Sequence, residues 1–158
     1  MKASVKKGFS FGLTSGVITT LGMIVGLNAS THSVLVVIGG ILMVAIADSL
    51  SDSLGIHISE ESNKKHTKRG VWESTFSSFI SKLIITLTFI IPVLLFKLET
   101  AVIVSIIWGL FLISVLSYDI AKKTGFGPYK SILEHLGIAV VVIILTHFVG
   151  KWISIVFS

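Results

Sequence analysis

The sequence predicts an all-α membrane protein that crosses the bilayer five times, and three observations carry that expectation. First, 53% of the 158 residues are hydrophobic and only 13% are charged, with a mean hydropathy of +0.95. A soluble domain of this size has too much surface for its volume to hide so much apolar side chain, so the excess is expected to face lipid. Second, the apolar residues form five continuous runs, each near the ~20 residues that cross a hydrocarbon layer about 30 Å thick. Third, the cations cluster in alternate gaps between these runs. Runs without polar alternation argue against a membrane β-barrel, and in lipid only helices or closed barrels satisfy every backbone N–H and C=O.

Span 1 is expected at about Phe9–Leu27. The basic stretch before it, with Lys2, Lys6 and Lys7, resembles the start of a signal peptide. The run is nevertheless as long as a full span and has no small-residue cleavage site after it, so it reads as a retained helix. Gly8, Gly12 and Gly16 lie four apart, followed by Gly22 and Gly26. Small residues at this spacing form a groove for another helix, either a neighbour in the same bundle or the second copy of a homodimer. Span 2 covers about Ser33–Leu54 after the Asn28–His32 turn, and a short basic segment, residues 57–72, leads on to span 3 at about Phe76–Phe96. Pro92 lacks a backbone N–H and predicts a kink there. Span 4 is expected at about Thr100–Ile120, after a Lys97–Glu99 turn, and span 5 at about Leu136–Phe157, after Lys122–Lys130. The whole of 1–158 is then a single transmembrane domain.

Three cation groups share one side of such a bundle: Lys2, Lys6 and Lys7; Lys64, Lys65, Lys68 and Arg69; and Lys122, Lys123 and Lys130. The other side has only Lys97 and Lys151. The positive-inside rule places the N-terminus in the cytoplasm and the C-terminus outside. The net charge of +5 therefore reads as topology and not as a nucleic-acid surface. The absence of cysteine excludes disulfides and thiolate metal sites. No nucleophile–base arrangement, phosphate-cradling loop or extramembrane domain is visible, so neither an enzyme nor a permanently bound cofactor is expected. The short chain points to an integral protein of a prokaryotic plasma membrane.

The informative residues are the ionisable ones inside the spans, because an Asp near mid-membrane costs about 2.5–3.5 kcal/mol. Asp48 and Asp52 lie four apart in span 2 and project from one helical face, with Asp48 expected about 8 Å inside the cytoplasmic edge and Asp52 near the edge itself. Ser51, Gly55 and Ser59 continue towards the cytoplasm. Carboxylate, hydroxyl and thioether donors suit Fe²⁺, Mn²⁺ or hard divalent cations, so Asp48, Asp52, Ser51 and Met43 are candidate metal ligands, with Thr14 and Ser15 in span 1 as further candidates. Two carboxylates on one face repel unless a cation or a shared proton relieves them, which fits exchange of metal against protons. The structural alternative is an Asp48–Lys82 ion pair, with Asp52 marking the helix exit. Lys82 is expected to be a partner or a snorkelling residue, not a member of the site. At the cytoplasmic ends, His57, Glu60, Glu61 and His66 have metal-ligand chemistry at no defined spacing, against the alternative of a solvated helix end. Asp119 and Glu134 read as helix-end charges, and His147 and the tryptophans Trp72 and Trp152 as interfacial residues.

In this arrangement several fragments resemble the vacuolar iron transporter family of five-helix Fe²⁺/Mn²⁺ transporters. Gly8-Phe9-Ser10-Phe11-Gly12-Leu13-Thr14 is similar to the family's Gly-x-Ser-Asp-Gly-Leu, and Ser51-Asp52-Ser53-Leu54-Gly55 to its Ser-Met-Gly-Leu-Gly. Phe79 with Pro92, and Leu136-Gly137 with Thr146 and Gly150-Lys151, look like its third and fifth helices. The resemblance implies divalent metal export from the cytoplasm by proton antiport, with the metal as substrate, and a homodimer through span 1. The departures are specific: Phe11 stands where the family has its first-helix aspartate, Gly16 where it has proline, and Asp52 where it has methionine, while Asp48 is an added acid. The family's cytoplasmic metal-binding domain is reduced here to residues 57–72, with Glu60 and Glu61 as cation-attracting remnants. The rival expectations are a transporter or channel of the same fold for another solute, and a non-transporting structural membrane protein.

Overall fold

The computed structural model describes residues 2–62, 67–125 and 127–157. Among them are five long helices and no strand: α1 Ala3–Thr31, α2 Val34–Glu61, α3 Lys68–Leu95, α4 Leu98–Thr124 and α5 Pro128–Phe157. All five are long and apolar enough to span a membrane. They follow the expected spans in order but run further, because a helix keeps satisfying its own backbone until something caps it. His32 ends α1 in the left-handed region, with φ 49 and its N–H on the Asn28 carbonyl. The Ser33 side chain accepts from Val36 N–H at the start of α2, and Thr67 does the same for Gly70 N–H at the start of α3. Gly125, at φ 77, closes α4. The segment 57–72 is therefore mostly helix: 57–61 completes α2 and 68–72 begins α3, while Lys64, Lys65 and His66 lie outside the described residues.

The contacts fix an up-and-down bundle. Gly8 meets Ser74 and Gly12 meets Ser78, so α1 and α3 run parallel; Gly22 meets Val142 and Gly26 meets Thr146, so α1 and α5 do too. The Lys82–Asp52 and His57–Thr75 contacts make α2 antiparallel to α3. The α1 helix sits in the middle and touches each of the other four. Its glycines explain how. A Cβ on Gly8 would overlap the Ser74 carbonyl, one on Gly12 the Ser78 carbonyl and Ser81 Oγ, and one on Gly16 would stand 2.6 Å from Ile85 Cγ2. On the other flank, a Cβ on Gly22 would stand 2.8 Å from Val142 Cγ1. The glycine stripe thus packs on helices of the same chain, α3 at Gly8, Gly12 and Gly16 and α5 at Gly22 and Gly26.

Two helices depart from regularity. In α3 the helix breaks at Phe89, whose N–H turns back to the Thr86 carbonyl, one turn before Pro92; this is the expected proline kink, since Pro92 gives Thr88 no donor and crowds its carbonyl. In α2, Val44–Asp48 is a π turn. From Val37 to Ser53 its buried positions, Val37, Ile41, Ala45, Ser49 and Ser53, are spaced by four, and only beyond them does a step of three follow, to Ile56. A regular helix drifts roughly 40° at each step of four, and the wider π turn absorbs part of that drift and keeps one face on the bundle. Beyond the ion site, Val17, Leu21, Ile24, Val37, Ile41, Ile85, Phe89 and Val93 form the apolar core. Large apolar residues such as Leu35, Ile107 and Phe148 point outward, as lipid-facing surface requires.

Candidate ion site within the bundle

Lys82 is fully buried, and its ammonium lies between two carboxylates of α2: Nζ is 2.5 Å from Asp48 Oδ2 and 2.5 Å from Asp52 Oδ2. From α1, Ser15 Oγ donates to Asp52 Oδ2 at 2.5 Å and accepts from Lys82 Nζ at 3.1 Å. Asp52 is thus held by charge and by two hydrogen bonds. The Asp48 oxygen facing Lys82 has ion-pair distance but no hydrogen-bond alignment, so it is held by charge alone. The acids are not sealed: the side chains of Asp48 and Asp52 keep 34% and 23% of their surface, against 1% for Lys82.

The depth of the group follows from the helix lengths. The α2 and α3 helices have 28 residues each, and Asp48 and Lys82 stand at their midpoints. At 1.5 Å per residue each is about 20 Å from either helix end. A hydrocarbon layer of about 30 Å therefore encloses both by roughly 9 Å or more, however it is positioned along helices that stand near its normal.

Local sequence builds this geometry. The glycines of α1 face a serine stripe on α3, where Ser74 Oγ donates to the Ser4 carbonyl and Ser77 Oγ to the Val5 carbonyl, each at 2.8 Å. That close approach leaves space at Gly16 for the stem of Lys82, whose Cγ would lie 3.2 Å from an added Cβ. One turn further, the Thr20 hydroxyl donates to the Gly16 carbonyl at 2.5 Å and lies 3.2 Å from Thr86 Oγ1. The π turn ends at Asp48, where it directs the following turn, with Asp52, onto α1 and α3.

Of the expected ligands, Asp48, Asp52 and Ser15 come together. Met43 does not: it is 72% exposed on the outer face of α2, since at about 100° per residue it lies on the opposite side of the helix from Asp52. Ser51 is exposed on α2. Thr14 spends its hydroxyl proton on the Ser10 carbonyl at 2.9 Å. His57 bonds Thr75 Oγ1 at 2.9 Å and rests edge-on against Trp72, with ring centres 4.7 Å apart. Glu60 is buried and paired with Lys7 of α1, whereas Glu61 is exposed at the end of α2. These three acids and imidazoles do not converge, and among the described residues no three His, Asp or Glu side chains are grouped to hold a metal ion. The site member that sequence reasoning set aside is Lys82. In the expected span, Phe76–Phe96, it stands near the cytoplasmic edge, whereas in the 28-residue helix it lies at the centre, too far from either end to snorkel.

No model of a protein family matches this chain, and no curated protein matches it. The likeness to the vacuolar iron transporter family rests on the sequence fragments alone.

Proposed function

We propose that the protein is a membrane carrier that exchanges a divalent cation for protons at Asp48, Asp52 and Lys82, and that it exports metal from the cytoplasm. The observation that supports this is the shared ammonium: Lys82 stands 2.5 Å from both carboxylates, in the position that a cation between them would take. In their charged forms the three groups sum to one negative charge. Adding one proton to a carboxylate neutralises the group. A divalent cation neutralises it equally if Lys82 gives up its proton and both carboxylates are free to ligate. Interconversion of these two neutral states releases two protons for each divalent ion bound, so transport is electroneutral. Neutral states matter because a net charge at this depth is costly.

Oxygen donors alone surround the position, with Ser15 as the third, which favours Mn²⁺ or another hard ion over softer metals. The cation-rich face that carries the N-terminus is read as cytoplasmic. The apolar core of Val17, Leu21, Ile24 and Phe89 lies on the opposite side of the triad and serves as the closed gate of this conformation. The structural reading, a permanent tie between α2 and α3, is favoured by the complete burial of Lys82 and by the Ser15 contacts. Mn²⁺ flux into proteoliposomes separates the two. A carrier gives flux above protein-free vesicles that Asp52→Asn and Asp48→Asn each reduce at least tenfold. Absence of flux in the folded wild type contradicts transport of this ion.

A further inference from the structure

We infer that a cavity between α2 and α3, in the half of the bundle nearer the basic face, binds an amphiphilic amine whose ammonium donates to His57 Nε2. The cavity, of about 500 Å³, has apolar walls of Leu50, Leu54, Phe76 and Phe79, and Ser53, His57, Trp72 and Thr75 also line it. Leu50, Leu54, Trp72 and Phe76 are each more than half exposed, so the cavity opens sideways onto the surface that faces lipid. Short contacts bring its polar and aromatic members together. His57 Nδ1 lies 2.9 Å from Thr75 Oγ1, the imidazole centre lies 4.7 Å from that of Trp72, and the Trp72 ring lies 5.6 Å from Phe76.

The hydrogen bonds fix what the cavity offers. The Thr75 hydroxyl gives its proton to the Val71 carbonyl at 2.8 Å and so presents only a lone pair to His57. Nδ1 therefore carries the proton of the neutral imidazole, and Nε2 is left as an acceptor. Nε2 has no hydrogen-bond partner among the described residues, and it is not one of the buried atoms, so it is open to the surface. His57 is nine residues from Asp48, the midpoint of α2, which places it about 13 Å from the centre of the bundle. A hydrocarbon layer centred there reaches about 15 Å to each side, and water is scarce within it. An open acceptor at that depth calls for a donor.

The surroundings favour an ammonium. A carboxylate or a phosphodiester brings no proton to Nε2, and a hydroxyl brings one without charge. An ammonium donates, gains from the face of Trp72, and is complemented by Glu61, one turn after His57 on the same side of α2. Glu61 has no ion pair among the described residues, and no lysine or arginine among them lines the cavity. Of the nearest cations on α3, Arg69 is paired with Glu73 and Lys68 is exposed. The indole N–H of Trp72 is the one donor, and the exposed ring presents it to water and headgroups. The site shares no residue with the Asp48–Asp52–Lys82 group and does not depend on the carrier reading.

The test uses the full chain in phosphatidylcholine nanodiscs, in mildly alkaline buffer, with dodecylamine as the probe. Three probes of the same chain length are compared with it: dodecyltrimethylammonium, a cation without N–H; dodecanol, a neutral donor; and dodecanoate, an acceptor. Binding is followed by Trp72 fluorescence in a Trp108→Phe/Trp152→Phe background. The hydrogen bond is followed by nitrogen NMR of labelled histidine, with His57 assigned through His57→Phe. Dodecylamine is expected to bind saturably, at least tenfold tighter than each of the other three, and to shift the Nε2 resonance of His57. His57→Phe, which keeps a ring and removes the acceptor, is expected to weaken dodecylamine at least tenfold and to leave dodecyltrimethylammonium unchanged. Absence of saturable binding, any of the three comparison probes binding as tightly as the amine, or an unmoved Nε2 resonance would each overturn the assignment, as would a folded His57→Phe that binds the amine undiminished. The comparison of probes on the unsubstituted site decides the matter where His57→Phe does not fold.

Discussion

Replacing Lys82 with methionine keeps the length of the side chain and removes its charge, which strands two carboxylates at the midpoint of the bundle. Three contacts go with it: those to Asp48 and Asp52 at 2.5 Å each, and that to Ser15 at 3.1 Å. Removing one partner of a buried ion pair typically costs about 3–5 kcal/mol. The residual exposure of the two acids, 34% and 23%, gives them some relief, so a loss near the lower end, about 3 kcal/mol, is expected. The penalty arises from stranded charge and not from lost packing. Neutralising the acids as well, in Lys82→Met/Asp48→Asn/Asp52→Asn, should therefore recover all but about 1–2 kcal/mol. Reversible unfolding in mixed micelles, titrated with SDS and followed by circular dichroism, gives both differences. A loss below about 1 kcal/mol in Lys82→Met, or a triple variant no more stable than the single one, would refute the reasoning.

The same unfolding assay checks the packing of the central helix. Gly12→Ala drives a Cβ into the Ser78 carbonyl and Ser81 Oγ, so α1 and α3 must separate, at a cost of about 1–3 kcal/mol or more. Gly39→Ala meets no atom within 4 Å and is expected to stabilise α2 by about 0.5–1 kcal/mol through helix propensity. Equal effects from the two glycines would contradict the helix contacts described above. Ser15→Ala removes a donor to Asp52 and an acceptor for Lys82, and should cost about 1–3 kcal/mol while leaving the helical spectrum unchanged.

The five helices were legible because continuous apolar runs and the cost of unsatisfied backbone in lipid leave few alternatives. The Pro92 kink was legible for the same kind of local reason, since a proline affects the turn before it whatever surrounds it. The π turn was not. Its trace is the spacing of four in Ala45, Ser49 and Ser53, and such a pattern of small residues also fits ordinary packing. Met43 was a candidate for its thioether and its nearness in sequence, but it lies on the outer face, as the helical angle of about 180° from Asp52 already requires. The glycines of α1 left two readings open, and the contacts with Ser74, Ser78 and Val142 show that they pack on the chain's own helices. The role of Lys82 depends on α1, α2 and α3 meeting at one depth, which no single segment encodes.

The central claim is that Lys82 holds the place of an exchangeable cation. Counting protons against metal tests it most directly: Mn²⁺ entry and proton exit are recorded together in proteoliposomes, with and without an imposed membrane potential. The expected result is two protons per Mn²⁺, a rate indifferent to the potential, and loss of both fluxes in Asp52→Asn. Mn²⁺ movement without counter-moving protons, or a rate that follows the potential, would contradict exchange at this group.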